Sequence, residues 1–272
     1  MSTGLKLDWH AWTQALAVLA RSPLYILALA AIVGLWGWAG YEWLWLPESS
    51  WFVLALALIW ILALAALVIA AVSGTVSSVS AAAAEAEDHL SLRRVLSLHR
   101  FGITALVVLV ALLGIFLLEA LFGWINDNTV SIASFLTFHF QHAVSYSVIG
   151  GIFWVMEALI WITVAGAYMK WLILASNPRS PDAPSVCSRL RQSSLMTLVT
   201  GILAVGVFGA SAWLLATWRP IVRPGAWDYV QLLIRNILAL FLLTLGWLFW
   251  ALSLARITVT GLTGPVPSPP PS

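Results

Sequence analysis

Charge is scarce in this sequence. Asp, Glu, Lys and Arg together make up 9% of its 272 residues, whereas a soluble domain is about a quarter charged because water must solvate its surface. Cysteine is nearly absent. Cys187 stands alone, which excludes an internal disulfide and any cysteine-based metal cage. There is no phosphate-cradling glycine loop, no nucleophile elbow and no HExxH pair, so the common grounds for an enzyme are missing. A net charge of +2 is too small to argue for a nucleic-acid partner. No cleavable signal pattern precedes the first strongly apolar run, which begins near Leu24 and is long enough to span a bilayer.

What is there is oil and indole. Hydrophobic residues make up 61% of the chain, the mean hydropathy is +0.96, and 17 residues are Trp. Indole rings favour the headgroup region, where the ring is buried and the N–H stays wet. Lipid must therefore solvate most of this surface.

A hydrocarbon core of about 30 Å needs about 20 apolar residues of helix. Six runs meet that length: 24–45, 51–72, 101–123, 147–175, 195–218 and 229–256. Leu46-Pro47-Glu48-Ser49-Ser50 is too polar for hydrocarbon and short enough to force the first two runs into a hairpin. The expected fold is all-α: one polytopic bundle of six transmembrane helices over residues 1–263. Beyond it, the proline-rich residues 264–272 read as a disordered cytoplasmic tail. The chain leaves no room for a soluble catalytic domain.

Basic residues set the orientation. With the N-terminus cytoplasmic, one side holds Lys6, Arg21, Arg93, Arg94, Arg100, Lys170, Arg179, Arg189, Arg191 and Arg256. The other holds only Arg219, Arg223 and, just inside the last run, Arg235. The outer ends carry a girdle of Trp43, Trp45, Trp51, Trp124, Trp218 and Trp227. Both termini are expected in the cytoplasm of a bacterium, with the bundle in its inner membrane.

The segments before the first, third and fifth runs look alike. Residues 7–21, 89–100 and 184–194 are each a short amphipathic stretch with basic residues, followed by a span with a glycine near its middle. In the second, Leu92, Val95, Leu96 and His99 share one helical face, the form of a helix lying in the interface plane. The expected unit is an interfacial helix plus a hairpin, occurring three times at intervals of about 80–90 residues.

The run Val72-Ser73-Gly74-Thr75-Val76-Ser77-Ser78-Val79-Ser80 with Ala81–Ala84, followed by Leu90-Ser91-Leu92-Arg93-Arg94-Val95-Leu96 and a span, carries a resemblance. It resembles the membrane-domain superfamily of bacterial glycerophosphodiester phosphodiesterases and the stand-alone YciC-like inner-membrane proteins. The likeness is one of pattern over the first half of the chain, and weaker in the second. It implies a membrane module whose catalytic work, where there is any, belongs to a separate soluble domain, and it transfers no catalytic residue. The small residues 74–84 also predict close helix approach and a rod extending the second span beyond the membrane, ending at Glu85-Ala86-Glu87-Asp88.

Charges inside spans are the default functional candidates, because a charge in hydrocarbon is costly unless paired or hydrated. At 1.5 Å per residue, Glu119 lies about 6 Å from its outer end, Arg235 about 9 Å and Glu157 about 15 Å. Asn236 sits beside Arg235. One reading makes Glu157 and Arg235 an outward-facing polar cavity, with Arg235 binding an anionic group. The plainer reading is an ion pair, Glu119 with Arg235, with Glu157 protonated or hydrogen-bonded to Trp154 or Trp161. His139 and His142, at i and i+3 in an outer loop that also holds Asp127, could begin a metal site. An amphipathic helix over 132–145, with Phe135, Phe138 and His142 towards lipid, is the plainer account.

These features favour a non-enzymatic membrane module: a scaffold, assembly factor or accessory subunit of a larger membrane complex. No cofactor is expected; the expected partners are membrane lipids and other membrane subunits, not nucleic acid. The alternative is a transporter or lipid-handling permease component with a polar cavity around Glu157 and Arg235.

Overall fold

The computed structural model describes residues 9–46, 50–84, 88–98, 101–143, 145–176, 194–218 and 226–260. Among them there is no strand. Helices α1 (Trp9–Ala20), α2 (Pro23–Leu44) and α3 (Trp51–Ala83) come first. Then follow α4 (Phe101–Asp127), α5 (Thr129–Phe140) and α6 (Tyr146–Ser176). The fifth span, α7, is assembled from Ser194–Ala204, a π-helical stretch Val205–Gly209, and Ala210–Thr217. The last helix, α8, is Ala226–Thr260. Six of these helices are long and apolar enough to cross a membrane, so the chain is a multi-pass, all-α membrane bundle.

Local chemistry explains the boundaries. Pro23 opens α2 at a position where its missing N–H costs nothing and its fixed φ suits a helix. The Ser50 hydroxyl accepts from the Val53 N–H at 3.4 Å and caps α3. Gln141, at φ 53°, turns the chain out of α5.

The spans alternate in direction, so α1 and the last turns of α8 share one end, here called proximal. Helix α8 is the axis of the bundle and packs against α7, α3, α1, α2 and α6, whereas α4 packs on α3, α5 and α6. The hydrophobic cluster is gathered at the proximal end. Tyr25 and Ile26 of α2, Val76 and Val79 of α3, Met169 and Ile173 of α6, and residues 248–255 of α8 are all buried. On α3, burial starts at Ala71. Towards the distal end the helices expose large apolar side chains to the surroundings, and distal burial is confined to isolated residues such as Phe122 and Ile149. Trp45, Trp51, Trp124, Trp218 and Trp227 are exposed there, as a tryptophan girdle requires.

Small residues permit this packing. A Cβ at Gly74 would collide with the carbonyl oxygens of Arg94 and Val95, so only glycine lets that backbone run against α3. Gly166 and Gly201 make room for Trp250 between α6 and α7. The π-helical stretch of α7 carries Phe208 against Gly246 and Phe249 of α8.

Several expectations change. The described part of the segment before the third span is not an amphipathic helix: residues 88–98 hold only a 3-10 turn, Leu92–Arg94, with Leu90 and Val95 buried and Leu92 and Leu96 exposed, and His99 lies outside the described residues. Backbone pairing with α3 replaces a helical face, since the Ser97 N–H donates to the Ala70 carbonyl at 3.2 Å. Helix α1 does not lie free in the interface; Trp12, Ala15, Val18 and Leu19 are buried in the common cluster. The first copy thus has a helix before its hairpin and the described part of the second does not; the third stretch, 184–194, lies almost wholly outside the described residues and the tail, 264–272, wholly so. The small-residue part of α3 does continue the helix, as packed core rather than a projecting rod. Glu85, Ala86 and Glu87 lie outside the described residues.

Candidate functional site

Arg235 is half-buried on α8, and its guanidinium donates to two carbonyl oxygens at the end of α7: Nε to Leu215 at 2.9 Å and an Nη to Ala216 at 3.0 Å. The last carbonyls of a helix have no partner within it, and a cation there also meets the negative end of the dipole. Glu119 is exposed on α4, and no ion pair joins it to Arg235. The expected Glu119–Arg235 pair is therefore replaced by a helix cap. Glu157 is half-buried on α6 without a hydrogen bond to Trp154 or Trp161, and Asn236 is exposed.

His139 and His142 are both exposed. His139 stacks on Phe135 with ring centroids 6.1 Å apart, and the His142 Nδ1 lies 2.9 Å from the Gln141 carbonyl. Among the described residues no three His, Cys, Asp or Glu side chains gather in a way that could hold a metal ion. The pair ends the short helix α5, which occupies 129–140 rather than 132–145 and leaves Phe135 and Phe138 exposed.

The densest polar constellation lies elsewhere, at the proximal end. Lys170 of α6 is 2% exposed and Arg256 of α8 is 7% exposed. Arg256 donates to the side-chain oxygen of Gln14 in α1 and to the Ala82 carbonyl of α3, so one guanidinium joins three helices. The Trp12 indole N–H donates to Thr200 Oγ1 at 3.2 Å. The Ser22 hydroxyl donates to the Val18 carbonyl at 2.7 Å and accepts from the Leu90 N–H at 2.8 Å. Tyr25 faces Thr75 and Ser78. The bonds of Arg256, Trp12 and Ser22 each tie separate elements of the bundle together. By position in the sequence, Lys170 and Arg256 count only as positive charge at the membrane edge. A signal was present: Trp12, Ala15 and Leu19 recur at helical spacing beside Gln14, the pattern of a helix docked by a mixed face.

An apolar groove of about 730 Å³ lies between α2, α3, α4 and α8. On α3 its lining extends from Ile61 to Thr75. Its two threonines spend their hydroxyls on their own helices, Thr75 on the Ala71 carbonyl at 2.8 Å and Thr244 on the Leu240 carbonyl at 2.9 Å. Trp43, near its distal end, donates its N–H to the Ala57 carbonyl at 3.1 Å. No charged side chain lines it, and neither Glu157 nor Arg235 is among its lining residues. The groove is open, because Ile61, Leu109, Leu112 and Leu243 are exposed.

Comparison with known proteins gives no match: no family model, no curated protein and no solved structure corresponds to this chain.

Proposed function

We propose that this chain is a non-enzymatic module of the bacterial inner membrane, an accessory or scaffolding subunit whose distal helix faces pack against other membrane proteins. The observation that carries this reading is the uneven burial of α3. Its most apolar window is 0% buried inside the bundle, while the same helix is packed from Ala71 onwards. Leu54, Leu58, Ile59 and Leu62 are exposed on it. The spending of Arg235 on a helix cap and of Arg256 on a tie between helices supports a structural role rather than a chemical one. So does the resemblance to stand-alone membrane modules.

The excess of Lys and Arg on the proximal side supports a cytoplasmic location for that end and for both termini. A cysteine placed at Ser91 in a Cys187→Ser background should react with an impermeant maleimide only after the cells are opened. Labelling of intact cells would reverse the orientation.

A photo-crosslinking residue at Leu62, and a second at the buried Leu252, test the main reading. Leu62 should give one discrete protein adduct, to the same companion that co-purifies at fixed stoichiometry in mild detergent, and Leu252 should give none. A chain that purifies alone, with only lipid adducts at Leu62, overturns it. The groove favours a second reading, a lipid-handling component, over any carrier of polar solutes.

A further inference from the structure

We infer that α1 is an in-plane membrane anchor: one side is docked on the bundle, and its exposed apolar edge, Trp9, Leu16 and Ala20, is seated in the lipid of the proximal leaflet. This holds whether or not the chain has a protein partner.

Two hydrogen bonds fix how α1 is rolled. The Trp12 N–H meets Thr200, which lies 15 residues, about 22 Å, from Leu215 along α7. Gln14 meets Arg256, which lies 21 residues, about 32 Å, from Arg235 along α8. Leu215 and Arg235 are bonded to each other and mark one level. The Gln14 side of α1 is thus tied about 9 Å nearer the proximal water than the Trp12 side. At about 100° per residue, the exposed Leu16, Trp9 and Ala20 fall beside Trp12 on the membrane side. His10 and Arg21, also exposed, fall beside Gln14 on the water side. The exposed half of α1 is therefore itself divided, apolar towards lipid and polar towards water, which is the pattern of a helix lying in the interface.

Depth agrees with roll. Thr200 is 18 residues, about 27 Å, from Trp218 of the distal girdle. Ser22, just past the other end of α1, is 21 residues, about 32 Å, from Trp43 of the same girdle. A hydrocarbon core is about 30 Å thick, so both ends of α1 stand at its proximal edge and the helix runs along the membrane plane. There Trp9 is 67% exposed and Leu16 is 48% exposed, and no Asp, Glu, Lys or Arg occurs from Trp9 to Ala20. Trp9 packs edge-on against Trp12, ring centroids 5.3 Å apart, which holds its indole on the membrane side, at the level that indoles favour. The apolar edge is continuous with the lipid-facing surface of α2, whose first turns expose Leu24 and Leu27.

The test uses the full chain with Cys187→Ser, reconstituted in phosphatidylcholine vesicles and carrying one spin-labelled cysteine at a time. Leu16→Cys and Ala20→Cys report on the apolar edge, His10→Cys and Ala17→Cys on the other. All four side chains are exposed, so the fold should survive, and an unchanged melting temperature of each variant checks that. At Leu16 and Ala20, collisions with oxygen should exceed those with a water-soluble nickel chelate, at a label depth of about 5–10 Å. At His10 and Ala17 the order should reverse. Equal nickel access at all four positions would put α1 in water and overturn the proposal. Labels at Leu16 and Ala20 that neither reagent reaches would mean that protein covers this edge in place of lipid, and would overturn it equally.

Discussion

Trp12 and Thr200, 188 residues apart, share a buried hydrogen bond of 3.2 Å from indole N–H to hydroxyl. It joins the first helix to the fifth span inside the common core.

Trp12→Phe and Thr200→Val should each lower the stability by about 1–3 kcal/mol, the cost of leaving the other partner buried and unpaired. The double variant should cost less than the two added together, because the second change removes the orphan left by the first. Thermal unfolding in one detergent, monitored at matched protein concentration, gives the cycle.

Arg235→Gln should destabilise by about 1.5–3 kcal/mol, because it removes charge-assisted bonds to the Leu215 and Ala216 carbonyls. Glu119→Gln should change little. The swap Glu119→Arg with Arg235→Glu should therefore not recover the stability lost in Arg235→Glu. Recovery in the swap would restore the ion pair that the structure replaces.

Gly74→Ala should be severe for so small a change, about 1–3 kcal/mol or a failure to fold, because the methyl meets backbone carbonyls that cannot turn away. Gly37→Ala has nothing within 4 Å of the new methyl and should be neutral or stabilising by up to about 1 kcal/mol. Urea or heat midpoints of the two variants, measured side by side, make the comparison.

His139→Ala with His142→Ala should leave both metal content and stability unchanged, since both rings are exposed and no third ligand faces them among the described residues. Elemental analysis of the purified chain before and after the substitution checks this. A metal lost with the histidines would contradict it.

The spans were legible because lipid imposes a length and a polarity that composition reveals directly, and five of the six runs fall within about four residues of their helices, while α3 continues past residue 72 to Ala83. What the residues around Arg93 do was not legible. Amphipathic spacing describes a helix, yet the carbonyls of residues 94 and 95 settle against Gly74, a contact made across some 20 residues of sequence that no local period encodes. Arg235 misled for a related reason. A charge in a span invites a search for an opposite charge, and its partners here are main-chain oxygens, which every sequence contains. Lys170 and Arg256 were hidden by the very rule that orients the bundle, since a cation at the membrane edge looks the same whether it is solvated or enclosed.

Counting from Trp51, about 20 residues of α3 exhaust the thickness of the oil, so the packed stretch that begins at Ala71 starts where the oil ends. Inside lipid there is no hydrophobic drive between helices, because the tails are as apolar as leucine. At the water boundary that drive returns. The clenched end and the loose end of this bundle are thus the same chemistry in two solvents: water closes the proximal helices around one another, and within the lipid the distal faces are left free to meet another protein.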